Sequence, residues 1–98
     1  MLLHAVLFSL KEGVSEDTKQ RVLEMSRSLQ ESCGGTSAGI LFLRYDKNLD
    51  LRKKVDWVEF AVFTDNDALQ RFRNHPVHKE FANEMSKIAD WKVGDLLV

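Results

Sequence analysis

The first ten residues constrain the fold more than any other part of the chain. From Leu2 to Leu10 the side chains alternate between two faces of a predicted strand, and both faces are largely apolar. One face carries His4, Val6, Phe8 and Leu10, and the other carries Leu3, Ala5, Leu7 and Ser9. A strand with one face in water would show polar residues on that face. We therefore predict a strand that is covered on both sides.

An amphipathic helix is predicted after this strand. Ser15 is a favourable N-cap, and acidic residues follow it in the first turn, where the helix dipole stabilises negative charge. One apolar stripe then contains Val22, Met25, Leu29 and Cys33. Gly34 and Gly35 are expected to end this helix, because glycine readily adopts the left-handed conformation common at helix C-termini.

Three further strands and a split helix are predicted in the rest of the chain. Residues 39–46 and 55–64 are rich in β-forming side chains, and the charged segment between them is typical of an exposed loop. A short helix follows and is expected to end near Asn74, because Pro76 disfavours helical geometry at the residue before it. Pro76 itself is well placed to begin a new helix. Residues 91–98 are predicted to form the last strand.

The order of these elements predicts a single α+β domain over residues 1–98. A βαββαβ order is typical of a ferredoxin-like fold, with a four-stranded antiparallel sheet and its helices on one face. The opposite face would expose Leu3, Ala5, Leu7, Val58, Phe60 and Val62. Because an exposed apolar surface of this size is an interaction surface, we expect a homodimer that packs through this sheet face, as two halves of a barrel.

The composition argues against several classes of partner. Ninety-eight residues with 14 basic and 15 acidic side chains give a net charge of −1, which does not attract nucleic acid or anionic lipid. The apolar runs are far shorter than the ~20 residues that span a bilayer, so we predict no membrane segment. We see no signal peptide, and a single cysteine fits a reducing compartment. We therefore expect a cytoplasmic protein.

Three titratable residues are candidates for chemistry between the sheet and the helices. His4 shares a strand face with apolar side chains, and His78 lies on an apolar helical stripe. Two imidazoles in one pocket can accept and return protons near neutral pH, which requires no metal or redox cofactor. Glu59 lies on an apolar face of the third strand, where a carboxylate can orient a histidine as in a catalytic triad.

Each candidate also has a structural alternative. His78 would then bond a backbone carbonyl and fill space, and Glu59 would form a salt bridge with Arg44 or a dimer contact. His75 is expected to brace the turn before Pro76. A metal site is not predicted, because the proline leaves only one of the two histidines of this segment on the helix face, and the pattern lacks the carboxylate of a His-Glu-x-x-His site.

The chain resembles the stress-responsive A/B barrel family over essentially its whole length. The matching features are His-Ala-Val-Leu-Phe in the first strand, Lys-Glu-Gly before the first helix, an acidic and strongly β-forming third strand, and His75-Pro76-Val77-His78 followed by Phe81. The resemblance implies a dimeric α+β barrel with one cavity in each subunit. Some members look like cofactor-independent polyketide cyclases, and their cavity histidines correspond to His4 and His78 here.

Two positions depart from those cyclase-like members. They carry a tyrosine where this chain has Phe72, and a histidine where it has Trp57. We therefore expect a smaller and less polar cavity that fits a small apolar or aromatic ligand. The residues expected to line it are Val6, Phe8, Trp57, Phe72, Phe81 and Met85.

Three functions remain open on the sequence. The first is cofactor-free acid–base catalysis, cyclase-like or isomerase-like, on a carbonyl or phenolic compound. His78 would be the main acid or base, His4 its partner and Glu59 an orienting residue. The second is a non-catalytic, stress-associated dimer that binds a ligand or is purely structural. The third is a cofactor-independent monooxygenase on a related dimeric barrel, although the His-Pro-x-His segment points away from it.

Overall fold

The computed structural model describes every residue from Met1 to Val98. Its elements are, in chain order, β1 (Leu2–Leu10), α1 (Glu16–Ser26), α2 (Leu29–Ser32), a 3-10 turn (Gly35–Ala38), β2 (Ile40–Lys47), β3 (Trp57–Phe63), α3 (Asn66–Asn74), α4 (Pro76–Ser86) and β4 (Ala89–Leu97). The strands form one sheet in the order β2-β3-β1-β4, and every neighbouring pair is antiparallel. The predicted ferredoxin-like α+β fold is therefore confirmed. No helix has the length and apolar character needed to cross a membrane.

The helices cover one face of the two central strands. On that face β1 buries His4, Val6 and Phe8, and β3 buries Trp57, Glu59, Ala61 and Phe63. Antiparallel pairing places His4 opposite Ala61, and Val6 opposite Glu59. The alternation in the sequence thus predicted the inward side of both strands correctly, and with it the side on which the candidate residues lie.

The prediction of one continuous first helix was wrong. The helix ends at Ser26 and a separate turn of helix begins at Leu29. The Ser26 hydroxyl donates a 2.5 Å hydrogen bond to the carbonyl of Leu23, and the Arg27 N–H bonds three residues back to Glu24. Side-chain bonds of this kind compete with the helical pattern, so the chain turns here while its apolar stripe continues.

Capping side chains fix the starts of the two later helices. The Asp65 carboxylate accepts a 2.8 Å hydrogen bond from the Ala68 N–H at the start of α3. At the start of α4, Nδ1 of His75 accepts a 3.1 Å bond from the Val77 N–H, and Pro76 occupies the first helical position. His75 is therefore a capping residue, and it holds the kink that orients the next histidine, His78.

A β-bulge at the start of β2 changes which of its residues face the helices. The register shifts between Ile40 and Phe42, so Ile40 is buried, the next two residues are exposed, and Tyr45 is buried. Gly39, just before the bulge, has φ +82°, and a Cβ there would lie 2.5 Å from Oγ1 of Thr64. Only glycine fits this turn without strain. The bulge is the reason that Tyr45 points inward.

The opposite face of the sheet has no covering layer. Phe42, Phe60 and Leu7 are between 41% and 48% exposed there, and the smaller apolar side chains of β1 and β3 lie between them. Edge strand β4 is exposed at every position after Ala89. The predicted open apolar face is thus present in the single chain.

Candidate functional site

A cavity of about 90 Å³ lies between the sheet and helices α3 and α4. Among the residues expected to line it, the structure places Val6, Phe8, Phe72, Phe81 and Met85 at the cavity. Trp57 does not line it: this side chain is buried in the core. Alternation along a strand gives the side on which a residue lies but not what packs above it. His4, His78 and Glu59 all reach the cavity.

Both ring nitrogens of His4 face carboxyl groups. Nδ1 lies 2.5 Å from Oδ1 of Asp95, and Nε2 lies 3.6 Å from Oε2 of Glu59. The ring packs edge-on against Phe63 at a centroid distance of 6.0 Å, which fixes its plane. His4 is itself 4% exposed. The first-strand histidine is therefore held between two acidic groups in the interior.

Glu59 is a buried carboxyl without an ion pair of ordinary length. Its Oε2 atom has no hydrogen-bond partner. Burial raises the pKa of Glu59 to about 7, and the Tyr45 hydroxyl and the charge of Arg73 oppose part of that rise. The expected alternative, a salt bridge with Arg44, was wrong. The bulge turns Arg44 toward the open side of the sheet, where it pairs with Asp46 at 2.9 Å.

His78 reaches the cavity from the first turns of α4. Its ring packs on Phe72 at a centroid distance of 4.4 Å, and its Nδ1 atom is buried without a hydrogen-bond partner. Burial lowers the pKa of His78, and the nearby charges of His4 and Arg73 lower it further. A contact with the backbone of Arg73 raises the pKa and opposes part of this shift. The imidazole is therefore neutral at pH 7, and neutral imidazole is the form that accepts a proton.

Tyr45 is a cavity residue that the sequence did not reveal. It lies opposite Glu59 in the β2–β3 register, and its ring packs between Phe8 and Phe81 at centroid distances of 5.8 and 5.1 Å. Burial and the adjacent Glu59 raise its pKa well above the ordinary value. Its hydroxyl therefore keeps its proton and can donate a hydrogen bond. The only sequence signal for the inward position of Tyr45 is the glycine before the strand, because glycine permits a bulge.

Asp95 and Arg73 were also missed. Asp95 lies on β4, directly opposite His4, and its second carboxylate oxygen lies 3.5 Å from Nη2 of Arg73 at the end of α3. The remaining lining residues beyond the expected ones are Ala82, Trp91 and Val93. An isolated aspartate between apolar residues on the inward side of the last strand was the available signal, but its partner follows only from the strand order.

The chain matches a described protein family and several proteins of known structure. Residues 2–98 match the family model described as the Stress responsive A/B Barrel Domain. An uncharacterized protein of Streptomyces coelicolor is 30% identical over 96 residues, which cover 97% of each chain. Because the match covers nearly the full length of both chains, the similarity extends over the whole domain and not only over one motif.

Three solved structures show the same fold at low sequence identity. A dimeric ferredoxin-like protein of unknown function from Thermobifida fusca has a TM-score of 0.85 at 16% identity, over 99% of this chain and 90% of that one. The hydroxynitrile lyase of Passiflora edulis has a TM-score of 0.82 at 16% identity, over 99% and 92%. The cofactor-independent oxygenase SnoaB of Streptomyces nogalater has a TM-score of 0.73 at 16% identity, over 99% and 91%.

Proposed function

Because the chain belongs to the stress-responsive A/B barrel family, we propose that its cavity binds a small uncharged carbonyl or phenolic compound and transfers protons on it without a cofactor. One observation carries this proposal. Nδ1 of His78 and Oε2 of Glu59 are both buried and unpartnered at one largely apolar cavity. A buried polar atom without a partner costs about 1–3 kcal/mol, and a ligand in the cavity would supply the missing hydrogen bonds.

The protonation states of these groups suit acid–base chemistry. Neutral His78 takes a proton from the ligand, for example from a carbon next to a carbonyl. Glu59, with a pKa of about 7, is present in both forms near neutral pH and can return a proton. Tyr45 donates a hydrogen bond to the oxygen on which negative charge develops. The reaction class is isomerisation, or the making or breaking of a carbon–carbon bond beside a carbonyl.

The size of the cavity supports a small ligand. Its volume of about 90 Å³ is below the ~300–1,000 Å³ of pockets that hold drug-sized molecules. A polyketide chain would require the helices to move apart. Among the structural neighbours, a hydroxynitrile lyase and a cofactor-independent oxygenase support an enzymatic role on this fold.

Binding without turnover is the second candidate function. The observation that favours it is that both nitrogens of His4 already face protein carboxyl groups, as in a structural histidine. In that case His78 and Tyr45 would orient a ligand by hydrogen bonds alone. The stress-associated role would then depend on the complex between the protein and its ligand.

Deuterium exchange tests the two candidates. In D₂O we expect the protein to catalyse the exchange of the protons next to the carbonyl of butanone or acetaldehyde for deuterium. Proton NMR measures this exchange as the loss of their signals. Ala82→Leu fills the cavity from α4 and is expected to abolish the exchange, whereas Asn83→Leu, at the exposed neighbouring position, is the matched control. Saturable binding without exchange would favour the binding protein. Turnover that consumes oxygen would favour the monooxygenase.

We propose further that the open apolar face of the sheet pairs with a second copy of the chain. The dimeric state given for the Thermobifida fusca structure supports this, as does the size of the exposed apolar face. Phe60→Glu is expected to convert the dimer into a monomer at micromolar protein concentration, because it buries a charge at the centre of the interface. Sedimentation velocity measures the change. Asn83→Glu, on the helical side, should leave the dimer intact. A protein that is monomeric without any substitution would contradict the proposal.

A further inference from the structure

Both ring nitrogens of His4 are directed at carboxyl groups. Asp95 holds Nδ1 at 2.5 Å, and Nε2 faces Oε2 of Glu59 at 3.6 Å. A histidine that attacks a ligand proton directly needs one nitrogen open to the cavity. In His4 a carboxyl group lies next to each nitrogen instead, and only the Nδ1 contact with Asp95 has hydrogen-bond length. The role of His4 in the site is therefore different from that of His78, whose Nδ1 has no partner.

The three groups form a path from the interior to the surface. The side chains of Glu59, His4 and Asp95 are 3%, 6% and 32% exposed, in that order along the chain of contacts. Arg73 lies 3.5 Å from the outer oxygen of Asp95 and is itself 38% exposed. The order of contacts and the order of exposure agree, so a proton that leaves Glu59 through His4 arrives at a group in contact with water.

We propose that His4 conducts protons between the cavity carboxyl of Glu59 and the solvent-exposed carboxylate of Asp95. This relay rests on the proposed function for its purpose, because a carboxyl that exchanges protons with a ligand has to be recharged from solvent. Its geometry does not depend on the identity of the ligand. Asp95 is a positioning residue and the outer end of the relay, and Glu59 is the end that meets the ligand.

The transfer balances without any further reactant. The proton on Oε2 of Glu59 moves to Nε2 of His4 while the proton on Nδ1 moves to Oδ1 of Asp95. The imidazole stays neutral and changes tautomer, and Asp95 then gives its proton to water. Because 3.6 Å exceeds an ordinary hydrogen bond, the Glu59 side chain has to rotate toward Nε2 for the first step. The reverse sequence recharges Glu59 and restores the first tautomer.

The other titratable and charged groups around the relay come from three elements. Tyr45 on β2 lies at the cavity beside Glu59, Arg73 on α3 acts on both carboxyl groups, and His78 on α4 lines the same cavity as His4. Nη2 of Arg73 lies 3.5 Å from Oδ2 of Asp95, so Arg73 pairs with the carboxyl group at the outer end of the relay. Any titration of the relay therefore has to be resolved residue by residue.

Nitrogen-15 NMR of the His4 ring tests the relay without a substrate. Asp95→Asn removes the outer carboxylate and is expected to change the His4 tautomer, since Nδ1 loses its anionic acceptor. Asp90→Asn, the same change on an exposed residue of β4, should leave the His4 signals unaltered. An unchanged His4 spectrum in Asp95→Asn overturns the relay.

Chemical rescue provides a readout that a purely structural role would not move. In the butanone exchange assay, Asp95→Ala is expected to lower turnover by about 10- to 100-fold with little change in KM, and formate is expected to restore most of it. Formate would act as a mobile outer carboxylate. A loss that formate does not restore, or no loss, overturns the relay. If the unaltered protein shows no turnover but its His4 tautomer responds to Asp95→Asn, the proposed function fails, while the contact between His4 and Asp95 that the relay requires is supported.

Discussion

Glu59→Gln is expected to leave stability nearly unchanged at pH 4 and to raise the free energy of unfolding by about 3 kcal/mol at pH 8.5. Burial raises the pKa of Glu59 from its ordinary 4.5 to about 7 in the folded protein. One pKa unit corresponds to about 1.4 kcal/mol, which sets the size of the effect. The glutamine amide fills a similar space and carries no charge at any pH.

The sign follows from which state holds the proton more tightly. The folded protein binds the Glu59 proton more strongly than the unfolded chain does. The stabilisation of the folded state by this proton is therefore fully present below about pH 4.5. It is lost as the pH rises through about 7, where the folded carboxyl also ionises and a charge is buried. Glutamine avoids that loss, and the gain therefore appears only at the higher pH.

Urea unfolding at the two pH values measures this difference. Glu80→Gln, an exposed residue of α4, is the matched control and is expected to show no gain that depends on pH. Equal stabilities of the Glu59→Gln variant and the unaltered protein at pH 8.5 would show that the carboxyl is not buried as a charge. The same variant should lose the exchange activity, because its amide neither accepts nor donates the transferred proton.

His78→Gln is expected to lower turnover in the exchange assay by roughly 10²–10⁴-fold, the usual contribution of a general acid or base. The reason is that Nδ1 of His78 is buried at the cavity without a hydrogen-bond partner or a nearby carboxyl group of its own. The change should appear mainly in kcat, since glutamine still fills the space next to Phe72. Because burial lowers the pKa of His78, the unaltered protein should keep its exchange activity into mildly acidic solution.

His75→Asn is the matched control for this histidine. Asparagine is also a favourable N-cap, so α4 should begin at the same residue and the stability should change little. Its turnover is expected to stay within about twofold of the unaltered protein. A His78→Gln variant that retains turnover at the level of His75→Asn would remove His78 from the chemistry and leave it as a packing residue.

The fold could be predicted from the sequence because several local patterns agreed. The two apolar faces of β1 required a layer on each side, and the placement of Pro76 split the second helical region at a definite residue. The same alternation placed His4 and Glu59 on one side of the sheet. What it did not contain was the break after Ser26, where a hydroxyl bonds back to the helix carbonyl.

The site was less predictable because it depends on long-range pairing. Asp95 meets His4 only because β4 pairs with β1, a choice of strand order that no local pattern states. Tyr45 faces the cavity only because the bulge at the start of β2 shifts the alternation by one residue. Trp57 was expected at the cavity from the same alternation, and packing of the core excludes it.

The most direct measurement is a carbon-13 NMR titration of the Glu59 side-chain carboxyl in the unaltered protein. A buried carboxyl that exchanges protons through His4 predicts a midpoint near 7, together with a matching response in the His4 ring signals. A single independent transition near the ordinary value of 4.5, with no response from His4, would contradict a proton-transfer site in this cavity.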